Sequence, residues 1–508
     1  MDPGKDPSPL VLDTSGQVAD DTKTATHNIE GVSVCEPEPD NSRDANVIDW
    51  DGPDDHENPL NWKRSKVVVT LALISAVTFL SSLASSIFAP GIPQILDDFK
   101  STNSSLGSFI VSVFVIGYAF GPLVIAPLSE IYGRLPLYLI CSGFFIITNI
   151  ACALAPSLSV LAVFRLFAGL AGSCPLVLSA GTTSDLIPHE NRGKVTAVFN
   201  IAPLLGPIVG PIGGGYLIQH KGWRWSFWLV TIVASVIFIL SLAFLHETYA
   251  YAILNRKANR LRKETGNQHL RSVLDEGRSP KRTLMTAIIR PTKMLVCAPI
   301  ILLISLLMFL FYGYFYLLFT AMPILLAEQY GFSTSAIGLT YIGPGVGSLI
   351  GVLFSGLTSD KFARHLKKVD GESKPEHRIH LFIGASLVIP VGLFWTGWTA
   401  ASHQHWILPI IGTSTMSTGV ILAFVASTTY LIDAYGVYAA SALAATTVLR
   451  SLGGALLPLA GGPMFSGLGF GWGSSLLAFI AVAMIPVPII ILKYGERIRR
   501  IRLFDVKF

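Results

Sequence analysis

The chain has 508 residues, 51% of them hydrophobic and only 14% charged, with a mean hydropathy of +0.56. So many apolar side chains exclude an ordinary soluble globular protein and require a chain that crosses a bilayer repeatedly. The net charge of +5 conceals an asymmetry: residues 1–60 hold 15 Asp and Glu against 3 Lys and Arg, and the remainder is strongly basic.

That basic excess is not a nucleic-acid signal, because it sits in short loops between apolar runs, where it reports orientation. The stretch from Arg256 to Lys293 holds 11 Lys and Arg and that from Lys361 to Arg378 holds 6, which marks both as cytoplasmic. About twelve apolar runs of spanning length begin near Val67, Ser108, Pro136, Val160, Val195, Trp225, Ile300, Ala336, Leu381, Trp406, Ala440 and Leu476. An even number of spans places both termini inside. The expected class is an all-α polytopic membrane protein. Its expected parts are a disordered acidic tail (1–60), a six-helix half (61–246), a basic central loop (247–296), a second six-helix half (297–494) and a basic tail (495–508). Five cysteines without a CxxC pair imply no disulfide scaffold, redox motif or metal site. The polar, acidic start does not read as a signal peptide, so the first span directs insertion.

In chain order, Asn58 to Arg64 marks the membrane entry, with Trp62 at the interface and Lys63, Arg64 and Lys66 holding the inner side. The first span ends at the Pro/Gly break Phe88 to Pro93. Asn103-Ser104-Ser105 matches a glycosylation acceptor, set close against the next span. The second span runs from Gly121 into Ser129-Glu130-Ile131-Tyr132-Gly133-Arg134, where Glu130 and Arg134 stand four apart, a spacing for an ion pair across one helical turn. An isolated solvated pair would be worth little. A second copy argues for more: a shift of 230 residues aligns Gly121, Leu123, Ser129, Glu130 and Arg134 with Gly351, Leu353, Ser359, Asp360 and Arg364.

The fourth span carries Arg165, with Gly169 and Gly172 following. An arginine at mid-span costs about 2.5–3.5 kcal/mol on insertion scales, so it faces the protein interior or water and is paired. Two readings stand: proton relay with cavity electrostatics, or a fixed buried hydrogen-bond anchor. The fifth span sets Gly206, Gly210 and Gly214 on one helical face, interleaved with Pro203, Pro207 and Pro211. Small residues at that spacing let a neighbouring helix approach closely, and prolines loosen the backbone. The stretch reads as a hinge at a moving interface or as a fixed close contact. At an offset of 247, Leu205-Gly206, Pro211 and Gly214-Gly215 recur as Leu452-Gly453, Pro458 and Gly461-Gly462. The chain therefore repeats as two halves, the arrangement of transporters that rock around a central site.

Trp223, Arg224, Trp225 and Trp228 read as an outer aromatic belt, and the basic helical segment after Arg256 reads as lying on anionic lipid. In the seventh span Tyr312 and Tyr316 share one face, and Phe311 and Phe315 share another. One of these faces is a candidate lining for a pocket that takes flat apolar molecules, against the commoner fate of aromatic core. Arg450 is a second arginine within a span, and it needs a partner. No Asp or Glu lies deep in a span. A polycation would want carboxylates in its cavity, so the expected substrate is a largely apolar small molecule. No GxxxxGK[ST] phosphate loop is present, and His403 and His405 have no carboxylate beside them, so neither a nucleotide-driven pump nor an enzyme is indicated.

Together these segments resemble the major facilitator superfamily, and within it the fungal twelve-span drug:proton antiporters. The likeness rests on Gly121, Pro127, Ser129, Glu130, Gly133 and Arg134 between spans two and three. It rests equally on Arg165, Gly169 and Gly172 in span four, and on Gly206, Pro207, Gly210, Pro211, Gly214 and Gly215 in span five. Asn58-Pro59-Leu60-Asn61-Trp62, Glu247-Thr248-Tyr249 and the Arg-Lys-Glu-Thr-Gly run at 262–266 resemble fungal members in particular. The resemblance implies proton-coupled export of a secondary metabolite, toxin or drug from the plasma membrane, by a chain that needs no cofactor and works as a monomer. Uptake or polyamine transport on the same fold is the alternative. It implies a latch of Glu130 and Arg134, repeated at Asp360 and Arg364 with Ala363 in place of Gly133. It also implies proton coupling through Arg165, with Glu130 and Asp185 as candidate carriers, and a span-five hinge that shapes the cavity.

Overall fold

The computed structural model describes residues 46–52, 54–101, 104–187, 201–275, 280–370 and 375–500. Asn103 lies outside them, and so do the side chains of Asp360 and Arg364. Among the described residues, ten helical elements are long and apolar enough to cross a bilayer. The last of these turns at Gly469, where a φ of 73° that glycine adopts without steric cost divides Ala439–Met484 into two passes. The Gly/Pro helix Ile201–Lys221 adds another, its 21 residues reaching about 30 Å at 1.5 Å per residue. The result is the all-α, twelve-pass fold that the apolar runs indicate.

The first half comprises α1 (Arg64–Ser86) with its continuation α2 (Ile92–Asp98), α3 (Ser104–Tyr132) and α4 (Arg134–Ala153). It continues with α5 (Leu158–Gly172) running on into α6 (Cys174–Leu186), then α7 (Ile201–Lys221) and α8 (Arg224–Phe244). Two link helices follow, α9 (Ala250–Thr265) and α10 (Pro280–Cys297). The second half is α11 (Pro299–Tyr330), α12 (Thr334–Thr340) with α13 (Ile342–Asp370), α14 (Ile379–Ala401), α15 (Ile407–Tyr435), α16 (Ala439–Met484) and α17 (Pro486–Arg500).

The internal repeat is visible in the packing. A Cβ on Gly206 would press on Ser82 and Leu83 of α1, and one on Gly214 would strike the Ile87 carbonyl. In the second half a Cβ on Gly453 would strike the Phe309 carbonyl of α11, and one on Gly461 would meet Leu317. Equivalent glycines thus let α7 lie on α1 and α16 lie on α11. The α7 helix continues unbroken through Pro207 and Pro211.

Both described chain ends lie at one end of the bundle, here the near end. Residues 46–52 and 54–60, expected to belong to a disordered tail, are folded there. Val47–Ile48 (β1) pairs in parallel with Arg271–Ser272 (β2). Asp51 and Asp55 reach Lys257 of α9 at 2.6 and 3.9 Å. Lys257 is therefore covered by this strap, and α9 buries a face of Ala252, Leu254, Lys257 and Ala258 against protein. Local chemistry fixes the strap: the backbone amides of Asp51 and Glu57 donate to the Asp55 carboxylate and hold its pKa below the ordinary value, with Lys257 adding to the effect.

At the far end the halves meet directly. Gln94 donates to Thr334 (3.3 Å), the Ser335 amide donates to Gln219 (2.9 Å), and the Ser105 hydroxyl donates to the Leu459 carbonyl (3.2 Å). Glycines allow it: Gly215 and Gly338 face each other closely enough that a Cβ on either would press on the other's backbone. Trp223 belongs to this packed region and not to a surface belt, since it is 2% exposed and its indole donates to Asp98. Trp225 is 47% exposed.

Candidate functional site

The near-end charge cluster begins with a helix break. Gly133 has a φ of 92°, which ends α3 and turns the chain into α4, so Glu130 and Arg134 sit on different helices. The one-turn spacing expected from the sequence therefore does not describe this pair. Arg134 extends instead to Asp185 at the end of α6, donating from Nε to Oδ2 and from Nη2 to Oδ1 at 3.2 Å. A Cβ on Gly181 would collide with that guanidinium, so the glycine makes room for the pair.

The amides at the start of α4 find a carboxylate that local spacing does not reveal. Arg134 and Leu135 donate backbone N–H groups to Glu247 at 2.9 and 3.3 Å, across more than 110 residues. Unpaired amides at a helix start carry partial positive charge and favour an anion there. Glu247 also accepts from the amides of Thr248 and Tyr249 and pairs with Arg256 at 3.4 Å. Thr248 donates to Asp185 at 3.4 Å, closing the cluster. Glu130 is exposed nearby: burial and the Glu130 carboxylate both raise the pKa of the Tyr249 phenol. The Glu247-Thr248-Tyr249 stretch was the only sequence signal for this arrangement. What the cluster does chemically is tie α4, α6 and the α8–α9 link together through charges that a tilt of one helix would separate.

At mid-membrane the two intraspan arginines lie in similar aromatic sandwiches. Arg165 is fully buried, with its guanidinium 4.4 Å from the Phe88 and Phe114 ring centres. Its Nη1 and Nη2 donate to the Ala84 and Ser85 carbonyls at 2.8 Å each, and its Nε donates to the Ile110 carbonyl at 3.3 Å. The Ala84 and Ser85 carbonyls are available because α1 ends at Ser86, leaving the last carbonyls of the helix without amide partners, while Ile110 lies within α3. Gly169 brings α5 close enough for this, since a Cβ there would strike the Phe114 carbonyl.

Arg450 of α16 lies 4.7 Å from the ring centres of Tyr312 on α11 and Phe424 on α15. Its Nε is buried and has no acceptor among the described residues. Tyr312 packs on Tyr316 at 5.0 Å, and Gly454, one turn beyond Arg450, admits both rings. Across from them, Tyr118 of α3 shares a 2.7 Å hydrogen bond with Ser81 of α1. The helix that carries Tyr118, α3, packs against α11, which carries Tyr312 and Tyr316. The Tyr312/Tyr316 face is thus the one turned to the centre. Phe311 is fully buried against Phe382 at 6.2 Å, in the core of the second half, and is not a lining residue. Phe315 stacks on Tyr312 and borders a narrow recess with Phe319, Met322, Tyr341 and Met416. Among the described residues no group of His, Cys, Asp or Glu is arranged to hold a metal.

Comparison with known proteins agrees with this geometry. Residues 74–458 match the family model described as Major Facilitator Superfamily. The chain is 52% identical over 466 residues to the MFS-type transporter penM of Penicillium rubens, covering 92% of each chain. It is 45% identical to the efflux pump radE of Floropilus chiversii, covering 92% of this chain and 87% of that one. Among solved structures, a partially occluded inward-open form of the E. coli xylose transporter XylE aligns with a TM-score of 0.63 at 16% identity. That alignment covers 85% of this chain and 98% of that one, and at this identity it speaks to the fold. The chain belongs to the major facilitator superfamily and is a multi-pass membrane transporter, not an enzyme.

Proposed function

We propose that this transporter exports a largely apolar small molecule, such as a secondary metabolite, toxin or drug, from the cell in exchange for protons. The observation that carries the reading is the aromatic face of Tyr312 and Tyr316 on α11, against which α3 with Tyr118 packs from the other half, with no carboxylate at mid-span. Such a lining suits flat apolar molecules and leaves an ammonium group unpaired. A relative named as an efflux pump supports the direction.

In this reading the chain is a monomer in the plasma membrane with its near end in the cytoplasm. The far-end contacts around Gly215 and Gly338 close the outward path, and the α7 face of Gly206, Gly210 and Gly214 guides α1 as the halves rock. The Arg134–Asp185–Glu247 cluster, with Glu130 beside it, latches the near end. Asp185 and Glu130 are the proton-carrier candidates, and Arg165 supports coupling by fixing the bend after α1.

The test is retention of a panel of neutral lipophilic dyes and antifungal compounds in yeast lacking its own pumps. Lower retention that is abolished by a protonophore supports the reading. Higher retention than in control cells contradicts export, and lower retention insensitive to protonophore contradicts proton coupling.

A further inference from the structure

We infer that Arg450 is the anchor for an ionised acidic group on the transported molecule, which makes the preferred substrate an apolar frame carrying one carboxylate or equally acidic oxygen. This rests on the central site being where the transported molecule binds, and it narrows the substrate class of that site.

The argument begins with a contrast in hydrogen bonding. A guanidinium carries five N–H donors and cannot lose its charge in a protein, so at mid-membrane it demands acceptors. Arg165 obtains three carbonyls. Arg450 obtains two ring faces and, among the described residues, no acceptor: its Nε is sealed in without one, and its terminal nitrogens make no hydrogen bond yet are not sealed. The rings of Tyr312 and Phe424 stabilise the cation through their faces. They leave the terminal N–H groups at its edge, beyond the sealed Nε, to receive a ligand.

The shape of that edge selects the ligand. Paired N–H groups in one plane match the two oxygens of a carboxylate, and at low dielectric a charge-assisted pair of this kind outweighs contact with a neutral carbonyl. The surroundings fit the rest of the molecule. Tyr312 stacks on Phe315 and packs on Tyr316, and Gly454 lets both tyrosine rings seat against α16. No Asp or Glu stands at mid-span to compete for the guanidinium. The same absence that disfavours a polycation leaves this one cation waiting for an anion.

The experiment is equilibrium binding to the purified full chain in detergent, without a gradient. Direction of transport and proton coupling therefore do not enter, and failure of those readings leaves the result unaffected. The probes are pyrenebutyrate and 1-naphthaleneacetate, each beside its methyl ester. The expected result is saturable binding of at least one acid, about tenfold or more tighter than its ester. That preference falls to about twofold or less in Arg450→Met and is partly restored in Arg450→Lys, a residue that keeps the charge but not the fork. Size-exclusion profiles check that each variant is folded. Should Arg450→Met fail to fold, Arg450→Lys and wild type decide through their acid-to-ester ratios. Equal binding of acid and ester to wild type, binding of neither, or an acid preference unchanged in the Arg450 variants overturns the inference.

Discussion

Arg165 and Arg450 occupy the two halves of one repeated fold, each between two aromatic rings at nearly the same distance, 4.4 Å and 4.7 Å. The rings do not distinguish them. What differs is the guanidinium edge, which in the first half is spent on carbonyls at the end of α1 and Ile110 and in the second half has no described acceptor. The lesson is that an arginine within a span can serve two purposes, and counting its acceptors tells them apart. One arginine completes a broken helix, and the other holds unspent donors where the halves meet.

The largest expected effect sharpens the first side of that contrast. Arg165→Met leaves the two buried carbonyls at the end of α1 short of a donor and should cost about 3 kcal/mol or more, seen as a large drop in melting temperature of the purified chain. Next comes the close contact beneath it. Gly214→Leu has to displace the Ile87 carbonyl at the same helix end, and overpacking of this kind costs about 1–3 kcal/mol. The readout is again melting, and Gly213→Leu, where a Cβ meets nothing within 4 Å, serves as its neutral neighbour.

Most of this was legible in the sequence where the physics is local or periodic. Apolar run lengths gave the passes, and glycines four apart gave the α7 face. Repeats at 230 and 247 residues gave the two halves and their matching contacts. Illegible were pairings set by the tertiary path. Arg134 has Glu130 four positions before it, yet Gly133 turns the helix and the arginine finds Asp185 in α6. Glu247 stands in a stretch that the sequence marks, but its partner, the start of α4, shows only in the fold. Periodicity showed two aromatic faces in α11 but could not say that Phe311 faces Phe382 while Tyr312 faces Arg450. The strap of residues 46–52 and 54–57 was hidden by its acidic composition, because its local turn around Asp55 is docked by Lys257 and by the β1–β2 pairing, some 200 residues away.

Smaller effects follow from these distant pairs. Asp185→Asn keeps the shape but removes the charge facing Arg134, and should lower transport about tenfold while costing at most about 1.5–3 kcal/mol of stability, the worth of a charged hydrogen bond. Vesicle flux normalised to protein checks it. The smallest effect is the strap's response to pH. Asp55 has a folded pKa below its ordinary 3.8, so its contribution is fully present above 3.8 and fades as pH falls through the lower, folded value. Limited proteolysis near residues 46–57 should therefore be unchanged between pH 7 and 5 and should rise only in stronger acid.

The contrast between the two arginines is tested most directly by melting Arg165→Met and Arg450→Met side by side, in the same detergent and without ligand. The account predicts a large fall for Arg165→Met. For Arg450→Met it predicts no fall, or a rise, because replacing a half-buried cation that has no acceptor among the described residues with an apolar chain removes a cost held for binding. A fall of similar size for both would show that Arg450 is a second structural anchor, and would contradict the account.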